Sequence, residues 1–155
     1  MANLHDIVQW CNQTLKANEF KDYAPNGLQI EGKSEIKKIV CAVTASEDAI
    51  DAAIAQRADV LLVHHGYFWK GEPYPITCMR GNRIKKLIQH NISLIAYHLP
   101  LDAHPVLGNN AAIADLIGLK NLEALDSSEK HPIGNIAYLE HALSPEQFKA
   151  KLQAI

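Results

Sequence analysis

Apolar residues recur along this chain with two alternating patterns, one typical of helices and one typical of buried strands. Near the amino terminus they lie three or four positions apart, which predicts an opening amphipathic helix. The apolar positions of this helix are Leu4, Ile7, Val8, Cys11 and Leu15. Three short apolar runs rich in β-branched residues follow at 38–43, 59–63 and 92–97. Each run predicts a buried strand.

Helical patterns lie between and after these strands. Ser46 can cap a helix over 47–57, and residues 83–90 carry a short helical stripe. Asn109 begins a further helix, which Gly118 ends. Strands and helices that alternate in this way favour βαβ units with right-handed crossovers. The sequence therefore predicts an α/β fold with a mainly parallel sheet flanked by helices.

The pattern becomes thinner beyond residue 120. Residues 135–139 predict one more strand, and Ser144 followed by Pro145 is typical of a helix start. That last helix runs to Ile155 without a glycine cap. We therefore expect an α/β domain over 1–120 and the start of a second, truncated segment over 121–155.

Composition and charge narrow the class of protein. Of 155 residues, 48% are hydrophobic and 21% are charged, which is ordinary for a globular domain. Fifteen basic residues face seventeen acidic ones, so a nucleic-acid partner bound through phosphate contacts is not expected. No apolar stretch approaches the roughly 20 residues that span a bilayer, and the amino terminus has no signal-peptide pattern. We expect a soluble, cytoplasmic protein.

The three cysteines give no sign of a thiolate metal site. They are odd in number and widely spaced, and no CxxC pair exists. Cys11 and Cys41 fall on apolar stretches, which predicts that both are small buried side chains. A reducing compartment fits this usage.

Potential metal ligands follow two of the predicted strands. His64 and His65 come directly after one strand, and His98, Asp102 and His104 follow the next. In open α/β sheets, ligands bind beyond the carboxyl ends of the strands. If the two strands are neighbours, imidazoles and a carboxylate converge in one crevice. We therefore predict a metal site at this edge of the sheet, with His64, His65 and Asp102 as divalent-metal ligands.

Adjacent histidines on a regular strand point to opposite faces. Gly66 would allow the chain to leave the strand there, so that both rings turn into one pocket. Imidazoles with a carboxylate suit zinc, iron, manganese or nickel alike. Because a carboxylate such as Asp102 can bridge two ions, the set forms half of a two-metal site that would activate water.

Several residues near the predicted site keep more than one interpretation. Four roles are open for His98: a metal ligand, a residue that orients a ligand, a proton carrier, or a histidine that only forms hydrogen bonds at the strand end. His104, next to Pro105, is a candidate for capping the turn. The aromatic cluster at 67–70 is either a packed plug or subunit contact, or a lid that stacks on a planar substrate. The chain has no GxGxxG, GxxxxGK[ST] or GxSxG motif, which excludes the common dinucleotide, P-loop and serine-hydrolase sites.

Four motifs resemble those of the Nif-three-like family, whose members are commonly named GTP cyclohydrolase type 2 homologues, and the bacterial branch is especially similar. The motifs are DYAPNGLQIEG at 22–32, VTAS at 43–46, HHGYFWKG at 64–71 and YHLPLDAHPVLGNN at 97–110. The resemblance implies an α/β fold, a dinuclear metal site in a cleft and a homo-oligomeric, hexameric ring. It also implies that His64, His65 and Asp102 are metal ligands, with two divalent cations per subunit in the complete protein.

The resemblance further implies a later histidine and glutamate as the remaining ligands. His141 and Glu146 do not match that segment in spacing or context, so we expect the amino-terminal part of a longer member. The implied function is a metal-dependent hydrolase of a nucleotide or related heterocycle. For this function, His98 is our candidate for moving the proton. The alternatives are a metal-containing binding or regulatory protein without catalysis and a metallochaperone or storage protein.

Overall fold

The computed structural model describes all 155 residues and places them in two units, residues 1–98 and 99–155. The elements of the first unit are β1 (Ala2–Asn3), α1 (Leu4–Thr14), β2 (Gly27–Ile30), β3 (Glu35–Ile36), β4 (Ile39–Thr44), α2 (Glu47–Ala55), β5 (Val60–His65), α3 (Cys78–Gln89) and β6 (Ser93–Ala96). A short 3-10 helix covers Ala17–Glu19. The domain boundary expected after residue 120 stays a prediction, and the units divide after His98.

The central sheet of the first unit has four strands in the order β2-β6-β5-β4. The β4–β5 and β5–β6 pairs are parallel, whereas β2 runs antiparallel to β6. The α/β class is thus confirmed, but the sheet is mixed. Strand β2 begins at Gly27, which adopts a φ of 102°. The chain then continues directly into the sheet edge beside β6.

The two inner strands form the centre of the core. Val60 and Leu61 on β5 and Leu94 and Ile95 on β6 are all fully buried. Their continuous apolar sequence reflects burial on both faces of the sheet. The buried helix residues are Ile50 and Ala53 on α2 and Ile84 and Leu87 on α3.

The edge strand β4 differs from this pattern. Its alternate residues Ile39, Cys41 and Val43 are exposed, and Cys11 on α1 is only half-buried. The prediction that both cysteines are buried is therefore wrong. A continuous apolar run does not reveal whether a strand lies at the centre or at the edge of its sheet, and only the pairing order decides that.

Helix boundaries follow the capping chemistry where the sequence carries it. The Ser46 hydroxyl accepts a hydrogen bond from the Ala49 N–H at 3.1 Å, which confirms the predicted start of α2. Helix α3, in contrast, begins at Cys78, five residues before the predicted start. Its first turn is held by Arg80, which donates to Glu72 at 2.8 Å and to the Pro75 carbonyl at 2.9 Å. This turn has no apolar stripe, so periodicity misses it.

The second unit contains α4 (Leu99–Ala103), α5 (Asn109–Ile117), β7 (Leu119–Ala124), β8 (Asn135–Leu139) and α6 (Pro145–Gln153). The predictions for α5, β8 and the start of α6 are confirmed. Gly118 ends α5 with a φ of 73°, and Ser144 forms a capping box with Gln147. The longest helix in the protein has 12 residues, and none has the length and apolar character needed to cross a bilayer.

Candidate metal centre

Strand β5 continues through both histidines, and its end lies between the ends of β4 and β6. In the parallel register, His65 lies opposite Thr44 and Val63 lies opposite Ala96, so His98 follows at the same edge. The ring centroids of His64 and His65 are 4.4 Å apart. The His98 ring lies 5.0 Å from His64 and 5.7 Å from His65. One nitrogen from each of the three rings lies within 4.8 Å of the others, so this cluster could hold a metal ion.

The ring of His64 is oriented by the neighbouring strand. Its Nδ1 lies 2.9 Å from the carbonyl oxygen of Tyr97. Because a carbonyl only accepts hydrogen bonds, Nδ1 must carry the proton, and the lone pair of the neutral ring is then on Nε2. A backbone carbonyl behind a histidine is a common arrangement in metal sites, since it fixes the tautomer that can bind the ion.

His98 is oriented in the same way by a carboxylate. Its Nδ1 lies 2.7 Å from Oδ1 of Asp22, whose side chain is only 3% exposed. The carboxylate accepts the Nδ1 proton, which again leaves the lone pair on Nε2. The His98 backbone N–H also donates to Oδ1 of Asn26 at 2.7 Å. Both the ring and the backbone of His98 are therefore held by the loop before β2.

The third ring, that of His65, has a hydrogen-bond partner that fits either tautomer. Its Nδ1 lies 3.1 Å from the Thr44 hydroxyl on β4, which can either donate or accept. The Ala45 N–H donates to the His65 carbonyl at 2.9 Å and fixes the backbone there. The structure thus orients His65 without imposing one tautomer on it.

Gly66 follows the histidine pair at a point of close approach. A Cβ at residue 66 would collide with Oε1 of Gln29 and would lie 2.7 Å from the Ala96 Cβ. The Gln29 amide fills this space and makes two hydrogen bonds with the backbone of the next residue, Tyr67. It accepts from the Tyr67 N–H at 2.7 Å and donates to the Tyr67 carbonyl at 3.1 Å. Glycine is therefore required here by packing, whereas the sequence suggested a requirement for backbone freedom.

The aromatic cluster at 67–70 has two separate roles. Tyr67 is buried and its hydroxyl donates to the Ala45 carbonyl at 2.7 Å. Burial raises the pKa of Tyr67 to about 12, so the phenol stays a neutral donor. This residue matches the predicted packed plug. Trp69 instead lies edge-on to His98, with ring centroids 4.9 Å apart, and donates from Nε1 to the Gly66 carbonyl at 3.2 Å.

Tyr97 connects the site to the first helix. Its hydroxyl donates to Oδ1 of Asn12 on α1 at 2.9 Å, while its carbonyl holds His64. The side chain is almost fully buried, and this burial is the main reason that the pKa of Tyr97 lies well above its ordinary value of 10. The phenol therefore remains protonated and fixes the end of β6.

The other two predicted residues lie in the second unit. Asp102 is on α4, and its carboxylate accepts from Nδ2 of Asn109 at 2.8 Å. Its assignment as a metal ligand stays a prediction. His104 caps a turn, since its Nδ1 accepts from the N–H groups of Val106 and Leu107 at 3.2 and 2.9 Å. That geometry corresponds to the capping interpretation of His104.

The donor set of the first unit fits a divalent cation. Three imidazoles face one another, and the orienting carbonyl and carboxylate place the lone pairs of two of them on Nε2. Imidazole nitrogens with such partners are typical ligands of zinc and of other first-row transition metals. The ligand roles of His64 and His65 remain predictions at this point, supported by that chemistry.

Sequence reasoning missed most of the residues that orient the rings. Asp22, Gln29, Thr44 and Trp69 all contact the histidines or the peptide that follows them. The available signals were the motifs at 22–32, 43–46 and 64–71, which contain these four residues, and the aromatic cluster at 67–70. Contacts between positions far apart in the sequence leave no periodic pattern, so these signals could not show which residues orient the rings.

Fold and site together define an α/β protein with a candidate metal centre of three histidines at the carboxyl ends of neighbouring strands. The family model described as Duf34/NIF3 (NGG1p interacting factor 3) matches residues 2–155. The chain belongs to this family, which confirms the resemblance found in its motifs.

Individual relatives agree with this membership. A "GTP cyclohydrolase 1 type 2 homolog" of Haemophilus influenzae is 48% identical over 156 residues, which cover 100% of this chain and 61% of that protein. A protein of the same name from Neisseria meningitidis serogroup B is 57% identical over 118 residues, covering 76% of this chain and 47% of the relative. The solved structure of protein ybgI, described as of unknown function, superposes with a TM-score of 0.90 at 41% identity.

The chain spans only part of these relatives. It covers 47% and 61% of the two curated proteins and 60% of the ybgI chain, although 98% of its own length is matched in that structure. The activity, substrate and partners of a whole family member therefore reach this chain only as proposals.

Proposed function

We propose that this protein is a metal-dependent hydrolase that acts on a nucleotide or a related heterocycle. The observation that carries the proposal is the cluster of His64, His65 and His98 at the strand ends, with two of its rings oriented by acceptors. The names of the relatives indicate guanosine triphosphate as the first substrate to test. A divalent cation held by the site would act as a Lewis acid that activates water and polarises an electrophilic ring carbon.

Within this proposal the histidines have different roles. His64 and His65 would hold the cation through ring nitrogens, and the sequence-based assignment adds Asp102 as a further ligand. His98 handles the proton: Asp22 accepts its Nδ1–H, so Nε2 can take a proton from the attacking water and return it to the leaving group. A histidine backed by a carboxylate is the usual form of a general base.

The surroundings of the cluster favour a planar substrate. Trp69 lies edge-on to His98 and 6.0 Å from the His65 ring. An aromatic side chain in this position can contact a heterocycle whose reacting carbon lies near the three imidazoles. This supports a nucleobase or similar ring over an extended aliphatic substrate.

The test separates metal binding from turnover. The purified chain is loaded in turn with zinc, manganese, iron(II) and nickel, and metal content, metal affinity and hydrolysis of GTP and other nucleotides are measured. His64→Ala should weaken metal binding at least about tenfold. His98→Ala should keep the metal affinity within about threefold but lower turnover by about 100-fold or more. His90→Ala, at an exposed position, is the matched control and should change neither.

Three results would overturn parts of the proposal. No turnover of any nucleotide by the complete protein at full metal occupancy would contradict the hydrolase function and favour a binding or regulatory protein. A His98→Ala variant that loses metal as strongly as His64→Ala would make His98 a ligand instead of a proton carrier. Unchanged metal affinity in Asp102→Ala would remove Asp102 from the ligand set, and elemental analysis would count the expected two cations per subunit in the complete protein.

A further inference from the structure

Residues 22–29, the loop before β2 and the first part of that strand, contact both strand ends that carry the histidines. This segment is the core of the DYAPNGLQIEG motif, of which the proposed function uses only Asp22. Its side chains reach the ring of His98, the backbone of His98 and the backbone of Tyr67. The sequence separations of these contacts are 76, 72 and 38 residues, so the segment joins regions that the chain order keeps apart.

Asp22 is the most constrained member of this segment. Oδ1 lies 2.7 Å from Nδ1 of His98, and Oδ2 accepts from Nδ2 of Asn26 at 2.9 Å. Its own loop adds a third bond, because the Tyr23 N–H donates to Oδ1 at 2.6 Å. A carboxylate that is 3% exposed and bonded through both oxygens has a single orientation. It therefore presents a fixed acceptor to the His98 ring.

Asn26 completes the connection to His98. Its amide nitrogen donates to Asp22, and its amide oxygen accepts from the His98 backbone N–H at 2.7 Å. This closes a ring of hydrogen bonds through Asp22, Asn26 and His98. The His98 backbone and its imidazole are thus fixed by two side chains four residues apart in one loop.

Gln29 makes the equivalent connection to the other strand end. Its amide binds the N–H and the carbonyl of Tyr67, and Nε2 also donates to the Pro25 carbonyl at 2.9 Å. One side chain thereby satisfies the backbone donor and acceptor of Tyr67, the residue that follows His64, His65 and Gly66, as a neighbouring strand would. The direction of the chain beyond the histidine pair depends on this amide.

We propose that residues 22–29 are a positioning segment for the histidine cluster, in which Asp22 fixes the tautomer and orientation of His98. A neutral imidazole carries its proton on either nitrogen, and a reaction at Nε2 requires the form protonated on Nδ1. Asp22 selects that form. The catalytic consequence rests on the function proposed above, whereas the selection of the tautomer does not.

The test observes the tautomer directly in metal-free protein. Nitrogen-15 NMR of histidine-labelled protein, recorded over a series of pH values, should show that the neutral form of His98 is protonated on Nδ1. Asp22→Asn keeps the shape but replaces one of the two acceptor oxygens with an NH2 donor. Three donors, on His98, Asn26 and Tyr23, then compete for the remaining oxygen, so His98 should become roughly an even mixture of tautomers. Asp22→Ala should give a similar or larger shift. Asp48→Asn, an exposed aspartate on α2, should give the wild-type spectrum.

His64 is an internal control in the same spectra. Its tautomer is set by the Tyr97 carbonyl and should not change in either Asp22 variant. Retention of the Nδ1-protonated form of His98 in both variants would overturn the proposal. An equal shift of His64 would also overturn it, because the effect would then be a general disturbance of the fold.

A second readout connects the segment to function. If the wild-type chain turns over substrate, Asp22→Asn should lower kcat by at least about tenfold while the metal content stays unchanged. If the complete wild-type protein shows no turnover, the proposed function fails, and the NMR result still decides the positioning segment. If turnover is normal and the tautomer of His98 does not respond to Asp22, the positioning segment fails and the function stands.

Discussion

Asp59 shows how a single charged side chain contributes to this fold at the end of the sheet away from the histidines. It precedes β5, and its carboxylate accepts from Nζ of Lys33 at 2.9 Å and from the backbone N–H groups of Lys37 and Lys38 at 2.9 and 3.1 Å. Burial by itself raises the pKa of Asp59. The hydrogen bonds and the Lys33 charge lower it by more, so the pKa lies below the ordinary value of 3.8.

Replacing this carboxylate should destabilise the protein in a pH-dependent way. Asp59→Asn should lower the free energy of unfolding by about 1–3 kcal/mol at pH 7, because the charged hydrogen bonds are lost. A lowered pKa means that the charged form stabilises the fold above the unfolded-state pKa and that this contribution disappears as the pH falls through the folded-state pKa. The difference in the free energy of unfolding between wild type and variant should therefore shrink below pH 3.8.

Urea unfolding at several pH values measures this gap. Asp51→Asn is the matched control, because Asp51 pairs with Lys86 on the surface and its side chain is 53% exposed. That variant should unfold almost as the wild type does. A gap for Asp59→Asn that is constant from pH 7 down to the acid limb would contradict the assignment.

At the scale of elements, strand β2 is the part of the sheet on which the site depends most. It pairs antiparallel with β6 at the sheet edge, with Gly27 opposite Ala96 and Leu28 opposite Ile95. Its residue Gln29 then extends across the end of β6 to the peptide after β5. Strand β2, with four residues, thereby connects the ends of β5 and β6. This connection fixes the direction of the chain after the histidine pair.

A change at Gln29 should alter metal binding without touching a ligand. In Gln29→Glu the carboxylate can still accept from the Tyr67 N–H, but it cannot donate to the carbonyls of Tyr67 and Pro25 and is repelled by both. We expect a loss of metal affinity of about tenfold, the lower end of the range for residues that support ligands. Chelator competition measures it, with Gln9→Glu at an exposed position of α1 as the control.

An affinity of Gln29→Glu within twofold of wild type, in a variant that retains the wild-type circular dichroism spectrum, would show that Gln29 does not support the site. Loss of affinity in both Gln29→Glu and Gln9→Glu would indicate a general disturbance of the fold, because added negative charge by itself attracts a cation. The Gln9→Glu control thus separates a local effect at Gln29 from a general effect of the substitution.

At the scale of the whole molecule, the histidine cluster lies within one unit of the chain. His64, His65 and His98 all belong to residues 1–98. A ligand that binds only the folded state stabilises that state by an amount set by its concentration relative to its Kd. Metal binding should therefore stabilise the folded state of this unit.

The hexameric ring stays a prediction, which native mass spectrometry of the intact assembly would test.

Metal should raise the stability of the wild-type chain in proportion to its affinity. At a free concentration of 100 times Kd, the free energy of unfolding should increase by about 2.7 kcal/mol. Hydrogen exchange should slow in β4, β5 and β6. His64→Ala should lose this stabilisation, whereas His90→Ala should keep it. Equal stabilisation of wild type and His64→Ala would show that the metal binds at another site.

The sequence by itself determined the elements whose signals are local. Periodicity predicted α1 and the three parallel strands, and the serines at 46 and 144 and the glycine at 118 marked helix ends that the structure confirms. The position of His64, His65 and His98 directly after apolar runs predicted where they would lie. Spacing and capping are properties of neighbouring residues, so a linear pattern contains them.

Only the tertiary structure decided what surrounds those residues. The order of the strands makes β4 an edge and exposes Cys41, and the antiparallel β2 brings Gln29 to Tyr67. The partner that orients His98 is Asp22, 76 residues earlier in the chain. A hydrogen bond between distant positions leaves no trace in spacing or hydropathy, because it exists only once the strands between them have paired.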